Sequence, residues 1–549
     1  PCILWLPKYN LKWLQSDIIA GLAVGLTVVP QGLAYAQIAS LPIQYGLYSS
    51  FMGGFIYCIF GTSKDVTLGP TAIMSLLVHT YANGDPVQAV VLTFFCGCVQ
   101  LFMGIFRLGF IMRFLSVPVV SGFTSAAAIT IGLGQVKHIL GVKTTSSLFV
   151  LEMIETFQNI GKSNPWDILV GVSCIVLLLL LRYGKLDPHV EGTKIERYSR
   201  YLMWILSTGR NAVVVIASAA IGYAIHTQHI SSCKVTDCIT LTGDIKKGLP
   251  PFKAPEFTEI KGNDTISIGD MLQSIGSGLA VVPLMGILES IAIGKAFARK
   301  EAYNLHVNQE LIAIGVANLV SSFVSSYPIT GSFSRTAINA QSGVKTPAGG
   351  IFTGLLVIFG LAFLTPLFHY IPKAALAAVI ITAVLYMVDA ATVVHLWRSR
   401  KIDLLPLLAT FLVCFWQIPY GIIAGVMVSM LMLICPLAFP SLSSSSIMPS
   451  LIISIQSGLT FPSVENLYDY IVDTVSTTAS KETVSKLILD FQHVSTIDFS
   501  VAQTFSELTT YLETLNIQLV VVSARQNVRE VLINTSNPDS ILFFKDVQE

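Results

Sequence analysis

The chain has 549 residues, 53% hydrophobic and only 12% charged, against about 25% charged in ordinary soluble domains. With a mean hydropathy of +0.69, this composition excludes a wholly water-soluble fold. The formal net charge of +1 gives no bulk electrostatic argument for nucleic acid as a partner, and nine cysteines without a CxxC pair or zinc spacing give no reason to expect a metal centre.

Apolar stretches near the length that crosses a ~30 Å hydrocarbon layer recur along the chain. Spans are predicted near 17–37, 46–62, 70–82, 86–106, 117–136, 166–182 and 211–227, then near 270–294, 307–324, 328–340, 350–367, 374–389, 403–418 and 421–439. Fourteen crossings place both termini on one side. The basic residues mark that side as cytoplasmic: Lys64, Arg107, Arg113, the run from Arg182 to Arg210, Arg299, Lys300, Lys345 and the cluster from Arg398 to Lys401 all fall in alternate loops. The long 228–268 loop carries five lysines, but long loops cross largely regardless of charge. Its sequon, Asn263-Asp264-Thr265, predicts glycosylation on the outer side. Cys233 and Cys238 in the same loop are placed for a disulfide there, whereas Cys58, Cys96, Cys98, Cys174, Cys414 and Cys435 read as small buried hydrophobes.

The two sets of seven spans share one irregularity. The third span of each is short and begins at a proline, in Gly69-Pro70-Thr71-Ala72 and in Tyr327-Pro328-Ile329-Thr330. Paired, interrupted short segments at matching positions mark an inverted-repeat transporter; the alternative is two ordinary Pro-started helices. After residue 440 the character changes. SLSSSSIMPS reads as a flexible linker, followed by a soluble α/β unit with strands at LIISI, KLILDF and IQLVVVS and helices at Val501–Leu515 and Arg525–Asn534. The domains are therefore 1–440, spanning the membrane, and 441–549, linker and cytoplasmic unit.

A helix that stops inside a membrane leaves unpaired N–H groups and about half a positive charge at its N-terminus. Two such ends facing each other make an anion site, with candidates in Gly69–Ala72 and Gly331–Ser334 and hydroxyls from Thr71, Ser332 and Ser334. Arg335 follows directly. A cation there costs about 2.5–3.5 kcal/mol on insertion scales, so it serves the anion, pairs with a carboxylate, or snorkels to the interface. Glu289 is the matching question: an intramembrane carboxylate carries protons or pairs with a cation, here Arg335 or Lys295. VVPQGLAYAQIA holds Gln31 and Gln37 among small apolar residues; Gln31 and Tyr35 can touch the cargo, the alternative being hydrogen bonds between helices at a Gly-lined contact. Asp17, Asp65, Asp270 and Asp389 fall at span ends as caps or interface residues. No nucleophile–base pair, P-loop or metal set is present, so no enzyme and no cofactor are expected.

PQGLAYAQIASLPIQYGLYSSF, GTSKDVTLGPTAIMSLL and the 289–350 block resemble the sulfate permease family of anion transporters, and the C-terminal unit resembles its STAS domain. The resemblance implies an α-helical polytopic membrane protein of 14 transmembrane segments as a 7+7 inverted repeat. Spans 1–4 and 8–11 would form a core domain moving against a gate domain of spans 5–7 and 12–14, in an elevator-like cycle within a homodimer. It implies sodium-independent transport of sulfate, by exchange with chloride, bicarbonate or oxalate or by coupling to protons, in the plasma or lysosomal membrane; an anion channel using the same site is the alternative. Carried over, the anion-binding residues are Gln31, Tyr35, Thr71, Ala72, Ser332, Phe333, Ser334 and Arg335, with Glu289 linked to protons. Thr71 departs from the Phe of chloride-conducting members, which favours a larger or more polar oxyanion. The STAS unit lacks the family's long insertion, and Ser500, where bacterial STAS proteins carry a phosphorylatable Ser, reads as a helix N-cap because the Gly-containing sequence that normally follows is absent.

Overall fold

Largely apolar runs, interrupted by single charges such as Asp17, Glu289, Glu310 and Arg335, form the helices of the first unit, residues 1–426; the second comprises 427–549. The computed structural model describes all residues except 114–115, 143, 145–148, 184–198, 200–202, 204, 228–238, 243–247, 262–263, 417, 448, 457, 480–483, 536–540 and 545–549. Asn263, Cys233 and Cys238 lie outside the described residues.

Eight stretches among the described residues are long and apolar enough to cross a membrane, including Leu11–Ile38, Pro86–Ile105, Gly278–Lys300 and Gly349–Phe368. Their starts follow local chemistry: Asn10 accepts the Trp13 N–H at 3.0 Å, and Asp85 caps a helix whose first residue is Pro86. Other predicted spans are shorter or broken. The third span is helical only over Ala72–Ala82, after a two-residue strand β1 (Leu68–Gly69). The 270–294 span is two helices, Ile268–Ile275 and Gly278–Lys300, separated at Gly276, whose φ of 51° ends the first. A small hairpin, β2 (Glu259–Lys261) and β3 (Asp264–Ile266), precedes it. The 328–340 span begins as strand β4 (Thr330–Gly331) and becomes a helix only at Phe333–Gln341. Pro328 therefore precedes an extended segment instead of starting a helix. The 374–389 span ends at Val384, and a new helix, Ala390–Ser399, starts at the Asp389 cap.

Two packing groups stand out. Pro86–Ile105 lies against Gly278–Lys300 and Val307–Ser322, just as Gly349–Phe359 lies against Leu11–Ile38 and Gln44–Phe60. Each of these contacts joins helices from opposite halves of the unit. Close approach makes them possible: a Cβ on Gly97 would sit 2.5 Å from the Leu319 nitrogen, and one on Gly315 would sit 2.5 Å from the Leu101 nitrogen. The second group joins Val117–Gly134, Pro165–Tyr183, Lys373–Val384 and Leu404–Cys414, and meets the first along Leu11–Ile38.

Unit two holds a five-stranded sheet ordered β5 (Leu442–Ile447), β6 (Ser450–Ile455), β7 (Lys486–Asp490), β8 (Gln518–Val522) and β9 (Ile541–Phe544). β5–β6 is antiparallel and the other pairs are parallel. Ile453, Leu489, Phe491, Phe505 and Val521 are in its core, beneath helices Val464–Ala479, Phe499–Thr514 and Gln526–Thr535. The Ser-rich stretch read as a linker is largely strand β5; as an edge strand it tolerates polar residues, and Ser445 faces Ile452 in register. Ser500 is not the cap of its helix: Asp498 accepts the Val501 N–H at 3.0 Å. Cys435, read as buried, is exposed on its helix beside exposed Leu433 and Ile434.

Candidate functional site

The two short strands meet inside the first unit. β1 and β4 pair antiparallel, Leu68 opposite Gly331 and Gly69 opposite Thr330. Because the strands run in opposite directions, the helices leaving them head apart, and both N-termini stay at the crossing. Thr71 caps the first half-helix, accepting the Met74 N–H at 3.3 Å. Ser332 caps the second by backbone conformation alone and makes no side-chain cap bond, so that helix keeps its free first-turn N–H groups.

A buried polar network holds the crossing. Ser290 accepts the Gly331 N–H at 2.7 Å and its hydroxyl lies 2.8 Å from that of Thr330, which donates to the Gly286 carbonyl at 2.6 Å. Asn318 accepts the Ile329 N–H at 2.8 Å and donates to the Ile329 carbonyl at 3.0 Å and to Gln100 at 2.9 Å. Ser49 accepts the Tyr327 N–H at 2.9 Å, and the Ser332 N–H donates to Thr67 at 3.2 Å. Sequence reading passed over Ser290, Asn318, Gln100 and Ser49; the legible signal was polar amides and hydroxyls inside apolar runs, as in GVANLV.

Arg335 sits in the first turn of the second half-helix and is 0% exposed. It therefore does not snorkel. Its Nε, Nη1 and Nη2 have no protein hydrogen-bond partner, and no carboxylate lies within 4 Å among the described residues. The guanidinium lies on Gly69: a Cβ there would stand 3.2 Å from both Nη atoms. Glu289 is half-buried and accepts a hydrogen bond from the Thr71 hydroxyl at 3.1 Å. Its charge and that of Arg335 act on each other and on Tyr35, but no ion pair joins Glu289 to Arg335 or Lys295.

The structure thus gathers Tyr35, Thr71, Glu289 and Arg335 around the crossing, with Ala72 as the first residue of its half-helix and in one apolar cluster with Tyr35. Gln31, one turn before Tyr35, is buried with its Oε1 unpartnered, and Gln37 has both amide atoms unpartnered. Ser332 is buried with its hydroxyl 3.4 Å from that of Ser334. Ser334 is exposed, and Phe333, 61% exposed, leans on Phe297 with ring centroids 5.5 Å apart. Of the four aspartates, Asp270 and Asp389 are caps. Asp17 instead lies within a helix and accepts the Lys345 and Thr346 N–H groups at 2.8 and 3.2 Å, and Asp65 pairs with Lys64 at 2.8 Å.

The uncapped N-terminus of the second half-helix and the buried Arg335 guanidinium form a set of donors with no matching acceptor among the described residues, beside the capped N-terminus of the first. That is chemistry for an anion. Compared with known proteins, residues 14–410 match the sulfate permease family and residues 443–549 the STAS domain. A Bos taurus sodium-independent sulfate anion transporter is 46% identical over 552 residues, covering 100% of this chain and 90% of that protein. An Arabidopsis thaliana protein, sulfate transporter 4.1, chloroplastic, is 32% identical over 96% of this chain and 78% of its own length. The solved structure of the murine Solute Carrier 26 family member A9 anion transporter in the inward-facing state shares the fold, with a TM-score of 0.84 at 23% identity, covering 100% of this chain and 92% of that one.

Proposed function

The chain belongs to the sulfate permease family, and from that premise we propose that it is a sodium-independent secondary carrier of sulfate and related oxyanions. The observation that carries this reading is the buried Arg335 guanidinium, unpartnered in the protein and lying on Gly69 between two half-helix N-termini. A buried charge stripped of its partner costs about 3–5 kcal/mol; an oxyanion between the helix ends supplies the missing partner. Each helix end adds about 0.3–2 kcal/mol, so the seat is firm but exchangeable.

Gln31, Tyr35, Thr71, Ala72, Ser332, Phe333, Ser334 and Arg335 form the seat. Glu289 is the proton-carrying group, since its carboxylate is bonded to Thr71 and to no cation. Transport exchanges sulfate against chloride, bicarbonate or oxalate, or couples it to protons. Fourteen crossings form a seven-plus-seven repeat, the core group carrying the anion past the gate group in an elevator motion within a homodimer; the partner exchange between helices of the two halves supports the repeat. Both termini face the cytoplasm, at the plasma or lysosomal membrane, and Asn263 carries a glycan.

Labelled sulfate uptake into proteoliposomes of the purified chain, with chloride and proton gradients imposed separately, tests the reading. Saturable uptake driven by one gradient is expected. Unitary currents, or flux without saturation, would replace the carrier by a channel, and no flux would overturn transport.

A further inference from the structure

Four loops of the first unit converge away from the crossing. The segments after Gln44–Phe60, Pro86–Ile105, Gly278–Lys300 and Phe333–Gln341 line one cavity of about 1020 Å³. Three cations on separate elements face it, Lys64, Arg107 and Lys345, against one lining carboxylate, Glu301. Lys64 is held, 2.8 Å from Asp65 and 3.5 Å from Glu301. Arg107 and Lys345 are exposed, and neither has a carboxylate within 4 Å among the described residues.

The helix Val307–Ser322 opens into the same cavity. Its N-cap, His306, makes no side-chain cap bond, and the Glu310 carboxylate in its first turn is bound to the Tyr57 hydroxyl at 2.8 Å and the Thr62 N–H at 2.7 Å. Free first-turn N–H groups and two unpaired cations therefore share one space.

The wall fixes the kind of anion. Ile105, 61% exposed, lines the cavity and is the last residue of a membrane-crossing helix, and Leu4, 77% exposed, lines it as well. On the same helix Phe102 and Phe106 are exposed with ring centroids 4.3 Å apart. A free inorganic anion gains nothing from that apolar wall; an acyl chain does. We propose that this cavity binds the phosphomonoester headgroup of an anionic phospholipid, the phosphates on Arg107, Lys345 and the helix N-terminus and the chains along Phe102, Ile105 and Phe106. The occupant would also bear on the loop after the second half-helix, because the Lys345 N–H is bonded to Asp17.

The test uses the purified full chain in detergent and a fluorescent short-chain phosphatidylinositol bisphosphate, read by polarisation. Arg107→Gln and Lys345→Gln should each weaken binding roughly fivefold, the effect of one basic residue near an anionic lipid. Glu301→Gln should strengthen it, an outcome that misfolding does not produce, and Lys401→Gln, a cation outside the cavity, should leave it unchanged. Equal weakening by Lys401→Gln would reduce the effect to general surface charge and overturn the site. Competition by soluble inositol trisphosphate as effective as by the lipid, or by inorganic phosphate or sulfate, would give the cavity to a soluble anion and overturn the lipid assignment.

Discussion

Arg335 concentrates the residue-scale argument. At about 4 Å and an effective dielectric near 20, one unit of anionic charge gains ~4 kcal/mol from a guanidinium, and a divalent anion about twice that before desolvation. Arg335→Gln should therefore lower sulfate uptake by more than tenfold and chloride uptake by clearly less, measured side by side in proteoliposomes; equal losses would make Arg335 a packing residue. Gly69→Ala probes the same contact from the other side. Its new Cβ would crowd both Nη atoms at 3.2 Å, so sulfate affinity should fall while Arg335 is still present. Glu289 makes a different prediction, because its partner is a hydroxyl rather than a cation. If it carries the proton, uptake rises as the outer pH falls, and Glu289→Gln, fixed in the neutral form, flattens that profile while sulfate still protects the protein from thermal unfolding. An unflattened profile would move the proton elsewhere.

At the scale of elements, the site depends on how two strands of two residues each are kept in register. Such a ladder is too short to hold itself. Asn318 does much of that holding, from the Val307–Ser322 helix, by satisfying both backbone groups of Ile329 and reaching Gln100. Asn318→Ala leaves those buried groups unpaired at about 1–3 kcal/mol each, so the melting temperature and the sulfate affinity should fall together. A fall in the first alone would separate the strand crossing from the anion seat. The prolines at 70 and 328 made the interrupted segments legible, since each breaks an apolar run at a matching place. Their true form was not legible. Helices start at Ala72 and Phe333 because the intervening residues pair across the fold, and a contact between residues near 68 and near 331 leaves no local pattern. The same reason hid β5: its serines looked like linker until their partner strand was in place. Arg335 and Glu289 were legible as rare charges in apolar runs; that they stand near each other without forming an ion pair was a matter of three-dimensional placement.

For the molecule as a whole, the question is whether the two packing groups of the first unit move past each other. The proposed seat lies on Leu11–Ile38, the two half-helices and Gly278–Lys300, almost wholly in one group, so an elevator motion would shift that group as a body. A shift must break contacts between groups and leave contacts within each group intact. Gly209 precedes the helix Arg210–Thr227, which packs on Pro165–Tyr183 and Lys373–Val384 of the second group and on Leu11–Ile38 of the first, and a Cβ at 209 would lie 3.7 Å from the Leu26 Cδ1. Gly132 and Val384 lie within the second group, with a corresponding 3.5 Å approach to Val384 Cγ2. Cysteines at 26 and 209, joined by a short bifunctional thiol reagent, should stop sulfate uptake, with recovery when a cleavable linker is reduced. Cysteines at 132 and 384, joined in the same way, should leave uptake near its uncross-linked level, because rigid-body motion does not change distances inside the moving or the fixed group. Full transport with the 26–209 link in place would rule out relative movement there and confine alternating access to local gating around the half-helix ends.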